Sequence, residues 1–586
     1  MRIIKNNYFL FKCVSKVCPL YLVYSCVYII ITGAITYANL ILLERIIDLF
    51  SEESFILNEL IIYLLINASI NILSLVVNNF YNIYVKTKYK FIWSSKISEY
   101  IYNKTKILDL DCYDNPKIYD KVSRGIKNSE DKIFQSYDDL ISFISSVIIA
   151  FMTGFYIVQS NFILIFIIIF QTFISFKLYS YFDKIWYDAT CEQENNERKI
   201  EYIKKTFYVN KYKNEIFSTK VGNLLLNLKK ETTKKINEGY EKAENTYLKI
   251  SVIEDIIFQF TNNFLSYFFL LLKLFKKAIS IGGFISSINA INKFSTTIYG
   301  LTFDYVQIKE NSLYIEDFLW IIKYKPNVEL SGNINLTKDI SRISLEKCEF
   351  QYDEKKVILN NLNFCGEKNS IIGIIGTNGA GKSTLLKLIL KFYIVQNGTI
   401  SVDDNNYINV FSRSLRDNIY YLSQEINFYS ISFIQFVMGK DEISDEDLKK
   451  LDYYLKELEL YDKIYNSSKG IHNLMSDEFD SEGFVFSGGE IQKINVLKAL
   501  MTKKSVIIMD EHTSALDSLS ERKVNNLIKS LKDKLIIIIT HRTEPLKICD
   551  KIYLLENGVL NTVSSYADFI SDKKVPYELR LRNEKI

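Results

Sequence analysis

Apolar positions in the first half of the chain come in long uncharged runs instead of amphipathic stripes. From Cys18 to Leu43 there is no charged residue, and about 20 apolar residues suffice to cross a bilayer as a helix. Leu60 to Val85 is also uncharged, after a connection containing Glu52, Glu53 and Glu59. Leu140 to Phe176 is uncharged but too long for one crossing; Gln159, Ser160 and Asn161 near its middle predict a tight hairpin, spans three and four. Ile256 to Leu272 and Ala278 to Phe303 supply spans five and six, the last interrupted by Lys293. The polar stretches between spans two and three, and between four and five, keep helical periodicity and read as cytoplasmic extensions of the spans.

The pattern changes in the second half. Ile371 to Ile375, Ser505 to Met509 and Leu535 to Ile539 are short, uncharged and mostly apolar runs of the kind that form strands buried on both faces. Helical runs, Thr384 to Phe392 and Ile491 to Leu500, lie between them. The chain therefore reads as a membrane α-helical domain of six transmembrane helices fused to an α/β domain.

Composition and charge narrow the function. The chain is 48% hydrophobic and 14% aromatic, which suits a partly membrane-buried protein, and its net charge of +4 with no basic stripe speaks against nucleic acid. The eight cysteines (Cys13, Cys18, Cys26, Cys112, Cys191, Cys348, Cys365 and Cys549) are scattered without a CxxC pair and read as packing residues in a reducing compartment. Met1 to Lys16 is basic, and the apolar run after it is too long for a signal peptide and lacks a cleavage site, so it reads as a retained first span. Lysine-rich stretches after spans two and four, with this basic N-terminus, place those segments in the cytoplasm of a cell-membrane protein. Lys273, Lys276 and Lys277 then fall outside, against the rule. Asn67, Asn71, Asn262 and Asn263 within the spans read as interhelical hydrogen-bonding residues, with a substrate path as the alternative. No acid or base sits at mid-depth in spans one to four, so an ion-coupled carrier lacks its intramembrane carboxylate and energy must come from elsewhere.

The second half supplies that energy. A strand is followed by Gly376-Thr377-Asn378-Gly379-Ala380-Gly381-Lys382-Ser383 and then a helix beginning at Thr384. Glycines let backbone N–H groups approach phosphate oxygens at a helix N-terminus, Lys382 adds positive charge, and Ser383 is a candidate ligand of magnesium. The strand Ser505 to Met509 ends in Asp510-Glu511, where one carboxylate can hold the metal and the next can polarise an attacking water. The strand Leu535 to Ile539 delivers His541, one of three histidines, to contact the terminal phosphate.

Gln424, after Tyr421-Leu422-Ser423, and Phe486-Ser487-Gly488-Gly489-Glu490 complete a set whose order resembles an ABC-transporter nucleotide-binding domain over residues 340–586. The resemblance implies that ATP and Mg2+ are cofactors, that Tyr352 stacks on adenine, that Gln424 joins Ser383 and Asp510 at the metal, and that Glu511 is the base. It also implies that Ser487, Gly488 and Gly489 close over ATP held by a second chain, so a dimer is expected: a homodimer or a pairing with a homologous half-transporter. Residues 1–320 resemble the membrane domain of the family's exporters. Tyr113-Asp114-Asn115-Pro116 looks like the first coupling segment, Lys213 to Phe217 leads to the second, and Glu310 to Asp317 resembles the exit from span six. Phe486, Glu490 and His512 stand where this family usually has Leu, Gln and Pro. The coupling segment, Glu478-Phe479-Asp480 and the span-six exit look most like bacterial exporters of peptides; a multidrug or lipid exporter and a non-transporting sensor remain alternatives.

Overall fold

The computed structural model describes residues 2–51, 57–160, 162–336, 339–352, 357–424, 427–440, 442–478, 480–531, 533–563 and 565–571. Glu52, Glu53, Asn161, Phe479, the side chain of Cys191 and residues 572–586 lie outside the described residues. Contacts divide the chain into two compact units, residues 1–103 with 120–323, and residues 104–119 with 324–586.

The first unit is helical. Helix α1 (Arg2–Val17) leads to α2 (Pro19–Ser51), which starts with proline at the position where a missing N–H costs nothing. Then α3 (Leu57–Asn79), a π-helical turn (Phe80–Val85) and α4 (Lys86–Thr105) run on as one rod. Short α5 (Asp111–Asp114) belongs to the second unit, and α6 (Pro116–Asn128) carries the chain back to α7 (Asp131–Ser160) and α8 (Phe162–Tyr208). After α9 (Lys213–Ser218) come α10 (Val221–Gln259), a second π-helical turn (Phe260–Leu265), α11 (Ser266–Phe275) and α12 (Ile281–Lys323). Helices α2, α7 and α12 pack on one another, while α8 pairs mainly with α10.

Among the described residues, three helical segments are long and apolar enough to cross a membrane: Pro19–Phe50, Leu57–Thr105 and Asp131–Ser160; Phe162–Leu178 is a shorter apolar one. The hairpin falls as expected, α7 ending at Ser160 and α8 starting at Phe162. Lys273 has a structural reason to break the charge rule. Its Nζ donates to the Ser160 carbonyl at 2.7 Å, neutralising the negative end of α7. Of the span asparagines, Asn71 accepts from Asn39 on α2 (3.1 Å) and Asn262 from Ser295 on α12 (3.2 Å), whereas Asn67 and Asn263 bond within their own helices.

The second unit holds two sheets. Strands β1 (Arg342–Phe350), β2 (Leu359–Glu367), β4 (Asn397–Val402) and β5 (Asn405–Asn406) form an antiparallel sheet in the order β2-β1-β4-β5. The larger sheet has the order β10-β9-β3-β8-β7-β6, built from β3 (Ser370–Gly376), β6 (Ile419–Leu422), β7 (Val506–Asp510), β8 (Leu535–Thr540), β9 (Lys551–Glu556) and β10 (Val559–Val563). All its pairs are parallel except β9 with β10. Side chains alternate between faces at a period of two. Ile374, Ile508 and Ile537 face Leu345 and Phe364 of the smaller sheet. Ile507, Met509, Ile536 and Ile538 pack with helices α15 (Phe433–Met438), α16 (Asp445–Glu457) and α18 (Gly488–Met501). Helices α13 (Lys382–Ile389), α14 (Ser412–Asp417), α17 (Tyr461–Tyr465), α19 (Ser518–Lys529) and α20 (Tyr566–Ser571) complete the unit.

Segment 104–119 is bound into this second unit by two carboxylates. Asp109, 3% exposed, accepts from the Tyr324 hydroxyl (2.8 Å) and from the backbone N–H groups of Asn327, Val328 and Glu329 (2.7, 3.0 and 2.9 Å). Glu329 in turn pairs with Arg416. Asp114 accepts from Lys387 (2.8 Å) and from the Tyr393 hydroxyl (2.6 Å).

Candidate active site

Strands β3, β8, β7 and β6 lie side by side and parallel, so their C-terminal ends share one edge of the sheet, the place where such sheets form sites. Each is followed by an expected residue. The loop Gly376–Ser383 follows β3, His541 follows β8, Asp510 ends β7 with Glu511 next, and Gln424 lies just past β6.

The loop's glycines are dictated by its shape. Gly379 and Gly381 have φ of 79° and 105°, where a Cβ is strained. A Cβ on Gly376 would stand 2.3 Å from the Leu555 carbonyl oxygen. Thr377, Asn378 and Gly379 are exposed at the loop's tip and Ala380 is buried beneath it. Lys382 folds back to donate to the carbonyls of Gly376 (2.8 Å) and Thr377 (3.0 Å). Ser383 and Thr384 occupy the first turn of α13, where N–H groups lack partners within the helix and suit an anion.

Glu511 sits in the left-handed region, φ 52°, with its N–H donated to the Ile539 carbonyl at 2.9 Å. This fixes its carboxylate between two neighbours. Gln424 Nε2 donates to Oε2 at 2.8 Å, and His541 Nδ1 lies 2.9 Å from Oε1. Burial and the adjacent Glu511 push the Asp510 pKa up to about 6 against the pull of Lys382. Burial lowers the Lys382 pKa, with Glu511 and Asp510 opposing. Two neighbouring carboxylates of which one is buried call for a cation. Ser383 hydroxyl, Asp510 carboxylate and the amide oxygen of Gln424 are the hard oxygen donors that magnesium takes.

Tyr352 donates its hydroxyl to Thr384 Oγ1 at 3.3 Å, and the residue is 41% exposed. Two residues not singled out from the sequence surround it. Tyr393 meets its ring edge-on at 5.2 Å, and Lys387 Nζ lies 5.5 Å over it. Lys387 is one helical turn from Ser383, a spacing that could have drawn notice; Tyr393 carries no local signal.

Ser487, Gly488 and Gly489 open α18 elsewhere. Ser487 is its N-cap, and a Cβ on Gly489 would meet Ala515 at 3.4 Å. Among the described residues nothing links this turn to the phosphate loop of the same chain. Glu490 explains its departure from Gln: it closes a capping box with Ser487 and pairs with Lys463 at 2.7 Å. Glu490→Gln keeps the box and loses the ion pair, so thermal denaturation should show a loss of less than about 1 kcal/mol; a larger drop would make the pair structural. Phe486 joins rings of Phe428 and Phe484 at 5.7 and 5.1 Å. His512 is 2% exposed, and burial pushes its pKa down to about 4, so it packs as a neutral ring in proline's place. Behind the site, buried Glu521 accepts from Thr513 (2.7 Å) and pairs with Arg542 (3.2 Å), tying the residue after His541 to the strand end bearing Glu511.

Residues 359–514 match the ABC transporter family model. That stretch of the second unit is an ABC transporter domain. The chain is similar to a probable ABC transporter ATP-binding/permease protein of Haemophilus influenzae, 33% identical over 222 residues, 38% of this chain and 39% of the relative. It is also similar to a lactococcin-G-processing and transport ATP-binding protein of Lactococcus lactis, 31% identical over 262 residues, 43% of this chain and 35% of the relative. A glutathione/L-cysteine transport system ATP-binding/permease protein of Haemophilus influenzae is 30% identical over 256 residues, 43% of each chain. The chain thus spans about two fifths of the length of the curated relatives it matches. Its fold as a whole is that of an ABC exporter. A bacterial Atm1-family ABC exporter solved with ATP bound superposes with a TM-score of 0.75 at 17% identity, covering 95% of this chain and 96% of that one. The apolar helices of the first unit and the family match of the second thus lie on one chain.

Proposed function

We propose that the chain is an ATPase coupled to export across the cell membrane, that it works as a homodimer, and that its cargo is a peptide or similar amphiphile. The observation that carries this is Glu511, held between Gln424 and His541 beside the phosphate loop, on a chain that also bears helices apolar enough to span a bilayer. Gly376, Thr377, Asn378, Gly379, Ala380, Gly381, Lys382, Ser383 and Thr384 cradle the phosphates, and Tyr352 packs on the adenine. Ser383, Gln424 and Asp510 would hold magnesium, which would offset the negative charge of the phosphates. Glu511 takes a proton from the attacking water, and His541 keeps its carboxylate turned toward the phosphate loop.

The dimer reading is supported by Ser487, which caps α18 with no contact to the loop it would serve among the described residues. A site needing both is completed by a second copy. Phe217 on α9, 77% exposed, is a contact that such a copy would cover. ATP binding then favours the closed pair, and hydrolysis releases it.

Complementation tests the dimer. Lys382→Ala and Ser487→Ala chains, each inactive alone, are co-expressed with different tags and purified together in lipid. In the mixed dimer one site keeps both Lys382 and Ser487, so hydrolysis should return to about half per dimer if the sites act independently. No recovery would mean that each chain closes its own site.

A further inference from the structure

The first unit contains a polar cavity of about 640 Å³ lined by, among others, Tyr28, Asn39, Asn78, Asn292, Lys293 and Thr296. Helices α2, α3, α7 and α12 of one chain build it. Lys293 is the one charged group in that lining. It lies about 18 Å along α12 from its first residue, at 1.5 Å per residue, within Ala278 to Phe303, the stretch read from the sequence as span six. Among the described residues it has neither an ion-pair nor a hydrogen-bond partner for its ammonium group. A cation at such depth is costly and is retained where it serves a bound group. The lining around it is made of hydrogen-bonding side chains, and the buried Oδ1 of Asn39 has no partner.

A second polar pocket of about 310 Å³ shares Tyr28 and Ser145 with the first and is lined also by Asp138, Asp139 and Lys86. Asp138 is paired with Lys86 at 2.9 Å, and Asp139 accepts from Asn311 at 2.6 Å. Ser142 of this pocket donates to Asp304 (3.3 Å), which lies three turns beyond Lys293 on α12, about 16 Å along the axis. The π-helical turn Phe80–Val85 presents Tyr81 and Asn82 to the same pocket, Tyr81 stacked on Tyr28 at 4.1 Å. Such turns inside long helices recur at functional sites.

We propose that the joined cavities seat the exported molecule, that Lys293 holds a free carboxylate of it, and that the acidic end takes its ammonium group. The cargo is then a short hydrophilic peptide, or a peptide segment of about five extended residues to span about 16 Å. This rests on the exporter reading and names its cargo class.

The test is equilibrium binding of pentaglycine, a zwitterion of that length, to the full chain in lipid nanodiscs. Pentaglycine should bind, and pentaglycine amide and N-acetylpentaglycine should each bind at least tenfold more weakly. Lys293→Gln should erase the difference between acid and amide, and Lys293→Arg should keep it; both variants are checked for retained melting temperature. No binding of any form, equal binding of all, or an acid preference surviving in Lys293→Gln would overturn the proposal. ATP hydrolysis sensitive to Glu511→Gln is measured in the same discs. If it is present while the acid preference is absent, the cavity assignment alone has failed. If it is absent while the preference holds, the exporter reading has failed instead.

Discussion

Glu511→Gln is expected to lower ATP turnover by on the order of 10²- to 10⁴-fold, the range over which a positioned general base contributes, while ATP binding is kept. The substitution is nearly isosteric. The side-chain amide can still accept from Gln424 and donate to His541, so the two contacts at 2.8 and 2.9 Å survive. The backbone at φ 52° is unchanged in its demands. Lys382 keeps its hydrogen bonds to the Gly376 and Thr377 carbonyls. What disappears is the proton acceptor, and only the step that needs one should slow. The measurement is ATP hydrolysis by the purified chain in lipid at saturating magnesium, with nucleotide affinity measured alongside. Turnover within a few-fold of the parent would remove Glu511 as the base. A parent without turnover would instead point to a partner half-transporter.

Much of this site could be read along the chain because it is made of local pieces. A phosphate loop is contiguous, and its strand and helix flank it; the runs from Ile371, Ser505 and Leu535 each became a strand of one parallel sheet. The span hairpin was equally local. What stayed hidden depends on contacts between distant residues. Charge counting left Lys273 as an exception, since its partner, the Ser160 carbonyl, lies on another helix. Glu44 and Asp48 look like a reason to end the first span, yet α2 runs to Ser51 because Asp48 accepts from Ser280 and from the N–H of Gly282 at the start of α12, and Glu44 from Tyr156. Tyr393 was one of 41 tyrosines; only the fold puts its ring against Tyr352. A reading along the chain also assigns residues to domains as continuous stretches, whereas the contacts group 104–119 with the ATP-binding unit.

Asp109 is the sharpest instance of such a hidden residue, and Asp109→Ala is expected to cost the second unit about 3 kcal/mol, in the range for removing one partner of a buried charged group. In sequence it is one of three aspartates within six residues, and nothing separates it from Asp111 or Asp114. In the fold Asp111 is exposed and Asp109 is 3% exposed. Its two oxygens take one hydroxyl and three consecutive backbone N–H groups from residues 324–329, the stretch through which the last membrane helix enters the ATP-binding unit. The alanine variant takes the acceptor from those four donors, which sit on half-buried and exposed residues, and the turn that Glu329 presents to Arg416 loses its anchor. Asp111→Ala removes a solvated charge and should stay within about 0.5 kcal/mol of the parent. Hydrogen exchange separates the two locally: the amides of Asn327, Val328 and Glu329 should lose protection in Asp109→Ala alone, together with a lower thermal midpoint. Equal stability and equal exchange in both variants would sink the assignment. If the assignment holds, segment 104–119 and the stretch 324–329 that follows α12 are clasped by one carboxylate. In the exporter proposed above, Asp109→Ala should also weaken the dependence of ATP turnover on cargo, because it loosens the stretch 324–329 and leaves Glu511, Gln424 and His541 untouched.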